Sequence, residues 1–179
     1  MTVENTPSAS PDHVTLRRIR AEDWARQRAL RLEMLADTPI AYLESLHDAE
    51  GRSNSAWAAH IAERVASNTS AQWVLDIGDR LVGTMSCVLD DVDRVHVVAV
   101  YLSPAYRGRG LVDRMLDEVV QWARARGVTT LLLEVAQEND RAVAAYRRQG
   151  FVPTGHTHRH PLYPEITEVE MTRTLDHPG

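Results

Sequence analysis

Residues 100–113 read VYLSPAYRGRGLVD, an apolar strand that runs through a turn of arginine and glycine into the start of a helix. Gly108 and Gly110 let the backbone approach a ligand without a Cβ clash. The first N–H groups of the following helix have no partner within the helix, and that helix end carries about half a positive charge. Arg107 and Arg109 add full charges whose planar guanidinium groups suit phosphate oxygens. The stretch therefore predicts an anion site whose natural ligand is a phosphate.

The periodicity of apolar residues on either side indicates a mixed α/β fold. Helical spacing predicts four helices, at 22–35, from a cap in 53–55 onward, from Leu111 to about Arg126, and at 140–149. The second of these helices carries Trp57, Ile61 and Val65 at helical spacing. Strands are predicted at 14–19, 71–77, 81–89, 95–102, 129–136, 151–158 and 168–175. The order is β-α-α-β-β-β-α-β-α-β-β, and the helix between the strands at 95–102 and 129–136 predicts a parallel crossover. Residues 40–52 have no clean period.

Composition limits the class of protein. The 179 residues fit a tail at 1–13 and one domain at 14–179, and no window is apolar enough to cross a bilayer. A net charge of −5 argues against a nucleic-acid partner. The single cysteine, Cys87, cannot form an internal disulfide, which fits a cytoplasmic location. We expect no membrane partner, and a monomer or a homodimer.

Two signatures then occur in order along the chain. The first is Arg-x-x-Gly-x-(Gly/Ala) from Arg107, and the second is Asn-x-x-Ala-x-x-x-Tyr-x-x-x-Gly-Phe from Asn139 to Phe151. Together they resemble the GNAT superfamily of acetyl-CoA-dependent N-acetyltransferases, and the resemblance covers about residues 14–175. It implies the GNAT fold, acetyl-CoA as acyl donor, an amine as acceptor and no metal.

The resemblance also implies which residues hold the coenzyme. The pantetheine arm would pair with the backbone of Val100, Tyr101 and Leu102, and the pyrophosphate would lie on the glycine turn. The full implied set is Val100, Tyr101, Leu102, Arg107, Gly108, Arg109, Gly110, Leu111, Val112, Asp113, Asn139, Ala142 and Tyr146. Val112 departs from the family pattern of glycine or alanine, and either packs into the core or crowds the ligand. Asn139 either contacts the coenzyme or caps the helix at 140–149.

Acetyl transfer to an amine requires a neutral nucleophile, stabilisation of an oxyanion, and a proton for the departing thiolate. Tyr146 is the predicted acid, because a phenol with a pKa of about 10 keeps its proton at neutral pH and still protonates a thiolate; the alternative is a core aromatic. Glu134 is the predicted base, since its position resembles the branch that acetylates ribosomal-protein N-termini. Burial in an apolar strand would make it a stronger base, whereas a solvated or arginine-paired glutamate is equally compatible. His96 is the competing base, or a structural histidine.

The acceptor is the least determined part. The resemblance assigns its choice to residues 40–52 and 156–166. Glu44, His47, Asp48 and Glu50 would attract a cationic amine, whereas Arg159 and the histidines would hold a carboxylate. His156, His158 and His160 alternate and are predicted to share one strand face, as a polar rim or solvated edge; a zinc site is disfavoured because no acidic or cysteine ligands accompany them.

The main hypothesis is an N-acetyltransferase that moves acetyl from acetyl-CoA to a primary amine by direct attack in a ternary complex. The amine would belong to a small molecule, an amino acid or a peptide N-terminus. The alternative is a coenzyme-A-binding regulatory module without turnover. A dinucleotide-dependent oxidoreductase is a third possibility, but the sequence from Gly108 to Asp113 lacks the third glycine of that motif.

Overall fold

The computed structural model of the protein describes residues 13–176, so residues 1–12 of the predicted tail lie outside the described part of the chain. Within it, the strands are β1 (Thr15–Arg18), β2 (Ser70–Asp76), β3 (Leu81–Leu89), β4 (Val95–Leu102), β5 (Thr130–Ala136), β6 (Val152–Arg159) and β7 (Thr167–Thr174). The helices are α1 (Trp24–Asp37), α2 (Leu46–Gly51), α3 (Asn54–Ala66), α4 (Leu111–Arg124) and α5 (Asp140–Arg148). None of these helices is long and apolar enough to cross a membrane.

All seven strands form one sheet in the order β1-β2-β3-β4-β5-β7-β6. β4 and β5 pair in parallel, as predicted, and the other neighbours among the described strands are antiparallel. The fold is thus the predicted mixed α/β class. A doubly wound parallel sheet, which the oxidoreductase alternative requires, is absent from residues 13–176.

One helix departs from the predicted order. Residues 40–52, which show no apolar period, contain α2. Ser45 caps this helix by accepting a hydrogen bond of 3.1 Å from the Asp48 N–H group. Ala49 is its buried residue. A helix of six residues with one buried side chain is too short to display a 3.6-residue repeat.

Each face of the sheet is covered by its own core. α1, α2 and α3 pack on one face, around Met34, Trp57 and Val74. α4 packs on the opposite face, around Trp73, Met115 and Leu131. The predicted apolar face of α4 is confirmed, because all its members are buried: Leu111, Met115, Leu116, Val119, Val120 and Trp122. Val65, predicted on the buried face of α3, is 40% exposed near the end of that helix.

A buried ion network fixes β1 and α1 to β2. Arg17 Nη1 lies 2.7 Å from an oxygen of Asp23, whose side chain is fully buried, and Arg17 Nη2 lies 2.7 Å from Asp76. Arg26 also pairs with both aspartates. Burial alone would raise the pKa of Asp23, but hydrogen bonds from Arg17, the Arg20 N–H group and Arg26 outweigh burial and lower this pKa to about 2.

The sheet opens between β4 and β5. Their pairing consists of Val95 with Leu131 and His96 with Leu132. On the other side of β4 the register with β3 shifts between Thr84 and Ser86, and Ala99 has a φ of 52°, which indicates a bulge. The bulge turns the second half of β4 away from β5 and leaves a gap beside Val100.

Candidate active site

The gap beside Val100 is closed on one side by a tyrosine that sequence reasoning missed. Tyr42, in the loop before α2, is buried, and its hydroxyl donates a hydrogen bond of 3.0 Å to the carbonyl oxygen of Val100. Burial raises the pKa of Tyr42 well above its ordinary value, and the nearby Tyr146 adds to this rise. Tyr42 therefore lies at the gap beside Val100. In the sequence, Tyr42 is marked only as a single aromatic residue in a segment that has no repeating pattern of apolar residues.

The glycine turn has the backbone conformation that the sequence predicts. Gly108 and Gly110 have φ values of 77° and 70°, in the left-handed region that favours glycine. Gly110 is the N-cap residue of α4 and provides no side-chain cap. The first N–H groups of α4 are thus available to an anion.

The two arginines of the turn, whose side chains are predicted to face a phosphate, have partners within the protein. Arg107 Nε donates a hydrogen bond of 2.9 Å to the Leu102 carbonyl oxygen, and its Nη2 pairs with Asp37 at the end of α1. This arginine lowers the pKa of Asp37. Arg109 donates to the Ala105 carbonyl oxygen and lies over the ring of Tyr106. Arg107 therefore anchors the turn to α1.

Side-chain placement favours one alternative at each of two positions left open by the sequence. Val112 is partly buried and packs against the core beneath α4, which is the first of its two alternatives. Asn139 caps α5, because its Oδ1 accepts a hydrogen bond of 3.1 Å from the Ala142 N–H group. Ala142 itself packs against the same core.

Tyr146 lies on α5 at the edge of the α4 core. Its ring meets Phe151 edge-on with a centroid distance of 5.8 Å. Burial raises the pKa of Tyr146 to about 12, so its phenol is neutral throughout the physiological range. The ring of Tyr146 is thus packed on the core, and its role as the proton donor stays a prediction.

Glu134 lies on the other face of the sheet from the α4 core. Its strand neighbours Leu133 and Val135 are buried in that core, and alternation turns Glu134 toward the opposite face. Its carboxylate is 45% exposed and lies 3.6 Å from His158 Nε2. The apolar surroundings expected for Glu134 are therefore absent, and an arginine partner within salt-bridge distance is absent among residues 13–176.

His96 lies at the closed end of the gap. It pairs with Leu132 where β4 and β5 are still joined, and its Nε2 is 2.9 Å from a carboxylate oxygen of Asp90. It precedes Val100 by four residues, which is about 13 Å along a strand. This geometry favours the structural interpretation of His96.

The three alternating histidines do not share one face, contrary to the prediction. β6 ends at Arg159, and its register with β7 shifts between Pro153 and Thr157. His156 and His158 are exposed, whereas His160 is 1% exposed. His160 Nδ1 accepts hydrogen bonds from the N–H groups of Leu162 and Tyr163, so it fixes the loop after β6.

The acidic cluster predicted at 40–52 is only partly free. Glu44 pairs with Arg31 at 2.9 Å and also with Arg52, so its charge is already compensated. Asp48 accepts a hydrogen bond from Ser45. On the other segment, Arg159 donates to the Pro164 carbonyl oxygen. The charge of Glu44 is thus compensated by two arginines, whereas the acceptor role of Arg159 stays a prediction.

A mixed sheet that opens between its parallel strands, with a glycine turn at the end of the first of them, is the architecture of acyl-CoA N-acyltransferases. The chain belongs to the Acetyltransferase (GNAT) family, whose profile matches residues 32–151. Acetyl-CoA is the cosubstrate of this family, and the gap and turn fit it.

Two bacterial acetyltransferases match parts of the chain. Mycothiol acetyltransferase of Corynebacterium glutamicum (strain R) is 33% identical over 102 residues, which are 53% of this chain and 34% of that protein. N-alpha-acetyltransferase RimI of Mycobacterium tuberculosis is 44% identical over 66 residues, 37% of this chain and 39% of that protein. The matches thus span between a third and two fifths of these relatives.

Solved structures match over most of the chain. A GNAT acetyltransferase of Streptococcus pneumoniae has a TM-score of 0.77 at 19% identity, covering 92% of this chain and 100% of that one. Spermidine N-acetyltransferase of Vibrio cholerae, solved with CoA and spermine, has a TM-score of 0.72 at 17% identity, covering 90% of this chain and 95% of that one. PaiA N-acetyltransferase of Thermoplasma acidophilum, solved with coenzyme A, has a TM-score of 0.72 at 16% identity, covering 90% and 99%. These likenesses show the fold.

Proposed function

We propose that this protein transfers the acetyl group of acetyl-CoA to a primary amine that carries positive charge. The observation that carries the proposal is the gap where β4 and β5 part, in a sheet that has Tyr146 packed on its α4 side and Glu134 of β5 on its opposite face. A thioester held in this gap would have a proton donor on one side and a proton acceptor on the other.

The coenzyme would enter from the α4 side. Its pantetheine arm pairs with the backbone of Val100, Tyr101 and Leu102, where β5 has moved away. Its pyrophosphate lies on the backbone N–H groups from Gly108 to Asp113, at the N-terminus of α4. The left-handed φ of Gly110 and the inward packing of Val112 support this placement.

In the reaction the neutral amine nitrogen attacks the thioester carbonyl carbon, and a C–N bond replaces the C–S bond. A backbone N–H group of the 100–102 segment stabilises the oxyanion. The amine loses a proton to Glu134, and the Tyr146 hydroxyl gives its proton to the thiolate of coenzyme A. The products are an N-acetyl amine and free coenzyme A.

Direct transfer is favoured over a covalent acetyl-enzyme. Cys87 is the only cysteine of the chain. It is fully buried, and burial raises its pKa to about 12. A thiol in this state forms almost no thiolate at neutral pH, so it is a poor nucleophile.

Carboxylates on the acceptor face support a cationic amine. Glu134 of β5 is paired with Glu170 of β7, and Glu168 lies two residues before Glu170 on the same face. Negative charge at this place would attract an amine with a second positive group more than one with a carboxylate.

Release of free thiol from acetyl-CoA, measured over a panel of polyamines, amino acids and peptides, tests the proposal. We expect turnover with cationic amines, a loss of kcat in Tyr146→Phe and in Glu134→Gln, and little change in acetyl-CoA affinity. Calorimetric binding of acetyl-CoA without turnover of any amine would instead support the regulatory module. Full turnover in both variants would remove these residues from their roles.

A further inference from the structure

Three side chains from three neighbouring strands converge on the acceptor face of the sheet. His158 of β6 is the direct partner of Glu168 of β7, and Glu134 of β5 lies beside them. His158 Nε2 lies 3.1 Å from Glu168 Oε2 and 3.6 Å from Glu134 Oε2. One donor atom from each residue lies within 4.8 Å of the other two.

The charge of this cluster is not balanced. The Glu168 side chain is 9% exposed, and His158 is its partner. Among residues 13–176, no arginine lies within 4.0 Å of the Glu134 or Glu168 carboxylate oxygens. Burying a carboxylate costs free energy unless a cation or several hydrogen bonds compensate it. Two carboxylates facing one imidazole nitrogen therefore favour an added cation.

The spacing of the donor atoms suits a tetrahedral metal ion. Zinc binds nitrogen and oxygen ligands at about 2.0–2.2 Å, so neighbouring ligands of a tetrahedral site lie about 3.4 Å apart. The two distances from His158 Nε2, 3.1 and 3.6 Å, are close to this value. The remaining distance, between the carboxylates of Glu134 and Glu168, shortens when the Glu134 side chain rotates, and this side chain is 45% exposed.

The donor set also selects the class of ion. An imidazole nitrogen with two carboxylate oxygens suits Zn²⁺ and similar transition metals, whereas Mg²⁺ and Ca²⁺ prefer oxygen ligands alone. The exposure of His158 and Glu134 leaves one side of the cluster open to water or another ligand.

We propose that Glu134, His158 and Glu168 form a binding site for a transition-metal dication of the Zn²⁺ class. A bound ion takes the Glu134 carboxylate as a ligand. It therefore blocks proton transfer to Glu134 and inhibits acetyl transfer; this consequence rests on the proposed function, whereas metal binding does not.

Binding is tested on the full-length, chelator-treated protein by calorimetric titration with Zn²⁺ and by the visible absorption of Co²⁺. We expect one ion per chain and a Co²⁺ spectrum of low coordination number. His158→Gln and Glu168→Gln should each weaken binding by roughly 10- to 100-fold. The matched control is His156→Gln, which removes an exposed histidine of the same strand outside the cluster and should leave binding unchanged.

Several results would overturn the site. These are the absence of saturable Zn²⁺ binding to the unmodified protein, unchanged binding by His158→Gln in a sample with native circular dichroism, or Mg²⁺ binding as tight as that of Zn²⁺. An acetyltransferase that binds no zinc would overturn the metal site alone. A zinc-binding protein that acetylates no amine would overturn the proposed function alone. If both hold, zinc should inhibit acetylation, and residual activity of His158→Gln should be less sensitive to zinc.

Discussion

The hydroxyl of Tyr42 donates a hydrogen bond of 3.0 Å to the carbonyl oxygen of Val100, which joins the loop before α2 to the bulged part of β4. This bond holds the strand edge that the proposed function assigns to pantetheine. Tyr42→Phe should lower the free energy of unfolding by about 1 kcal/mol. If the same energy is lost in coenzyme binding, the Kd of acetyl-CoA rises about 5-fold. Tyr163→Phe, in the loop before β7, is the control; equal effects of both variants would contradict a specific role.

Gly110→Ala tests the turn. Its φ of 70° is strained for alanine, so this variant should lose about 1–2 kcal/mol of stability and bind acetyl-CoA more weakly. Gly51→Ala is the matched control, since a Cβ there meets nothing within 4 Å and its φ is ordinary. Thermal unfolding and calorimetry of both variants make the comparison. Undiminished coenzyme affinity in Gly110→Ala would argue against a phosphate at this turn.

Val112→Ala separates the core role of this side chain from interference with the ligand. Because Val112 packs against the core, its truncation should cost about 1 kcal/mol of stability. The Kd of acetyl-CoA should stay within about twofold, which is less than 0.5 kcal/mol. A marked gain in affinity would mean that Val112 crowds the coenzyme.

The raised pKa of Tyr146 predicts the alkaline behaviour of the enzyme. Its donor form is the neutral phenol, and a pKa of about 12 keeps that form beyond the pH at which an ordinary tyrosine ionises. We therefore expect kcat at saturating acceptor to show no loss from tyrosine ionisation up to about pH 10. The profile is measured with correction for spontaneous thioester hydrolysis. An alkaline limb near pH 9 that disappears in Tyr146→Phe would contradict this assignment.

The Asp23 network predicts the acid stability of the fold. The pKa of Asp23 is about 2 in the folded protein against 3.8 in the unfolded chain, so its contribution is complete above about pH 5 and is lost as pH falls through 2. The difference corresponds to about 2 kcal/mol. Asp23→Asn should cost about 3 kcal/mol at neutral pH, because it leaves Arg17 and Arg26 short of a buried partner. Urea unfolding between pH 2 and 7 measures both the pH dependence of stability and the cost of Asp23→Asn. The control is Asp79→Asn, on the turn between β2 and β3.

Periodic segments were predictable from sequence, and isolated contacts were not. The bounds of β3 and β4 and the buried face of α4 follow directly from patterns of apolar residues. Gly108 and Gly110 could be assigned because their backbone role is local. Tyr42 could not, since its contact with Val100 joins residues 58 positions apart.

The same limit applies to the partners of charged side chains. Charge and spacing suggest that Arg107 faces a phosphate and that Glu44 faces an amine, but each pairs with an opposite charge brought there by the fold. Likewise, the alternation of His156, His158 and His160 predicts one shared face, because a register shift and the end of β6 leave no mark in the spacing. The acidic neighbours of His158 come from β5 and β7 and are visible only once the strands are paired.

The opposite placement of Tyr146 and Glu134 has a consequence for inhibitor design. If the coenzyme and the amine approach from different sides, neither must leave before the other enters, so they bind in either order. A single molecule that joins a coenzyme A arm to a cationic amine would pass through the gap between β4 and β5 and occupy both faces of the sheet. Linking the two halves raises the effective concentration of the second once the first is bound, so such a molecule should bind far more tightly than either half.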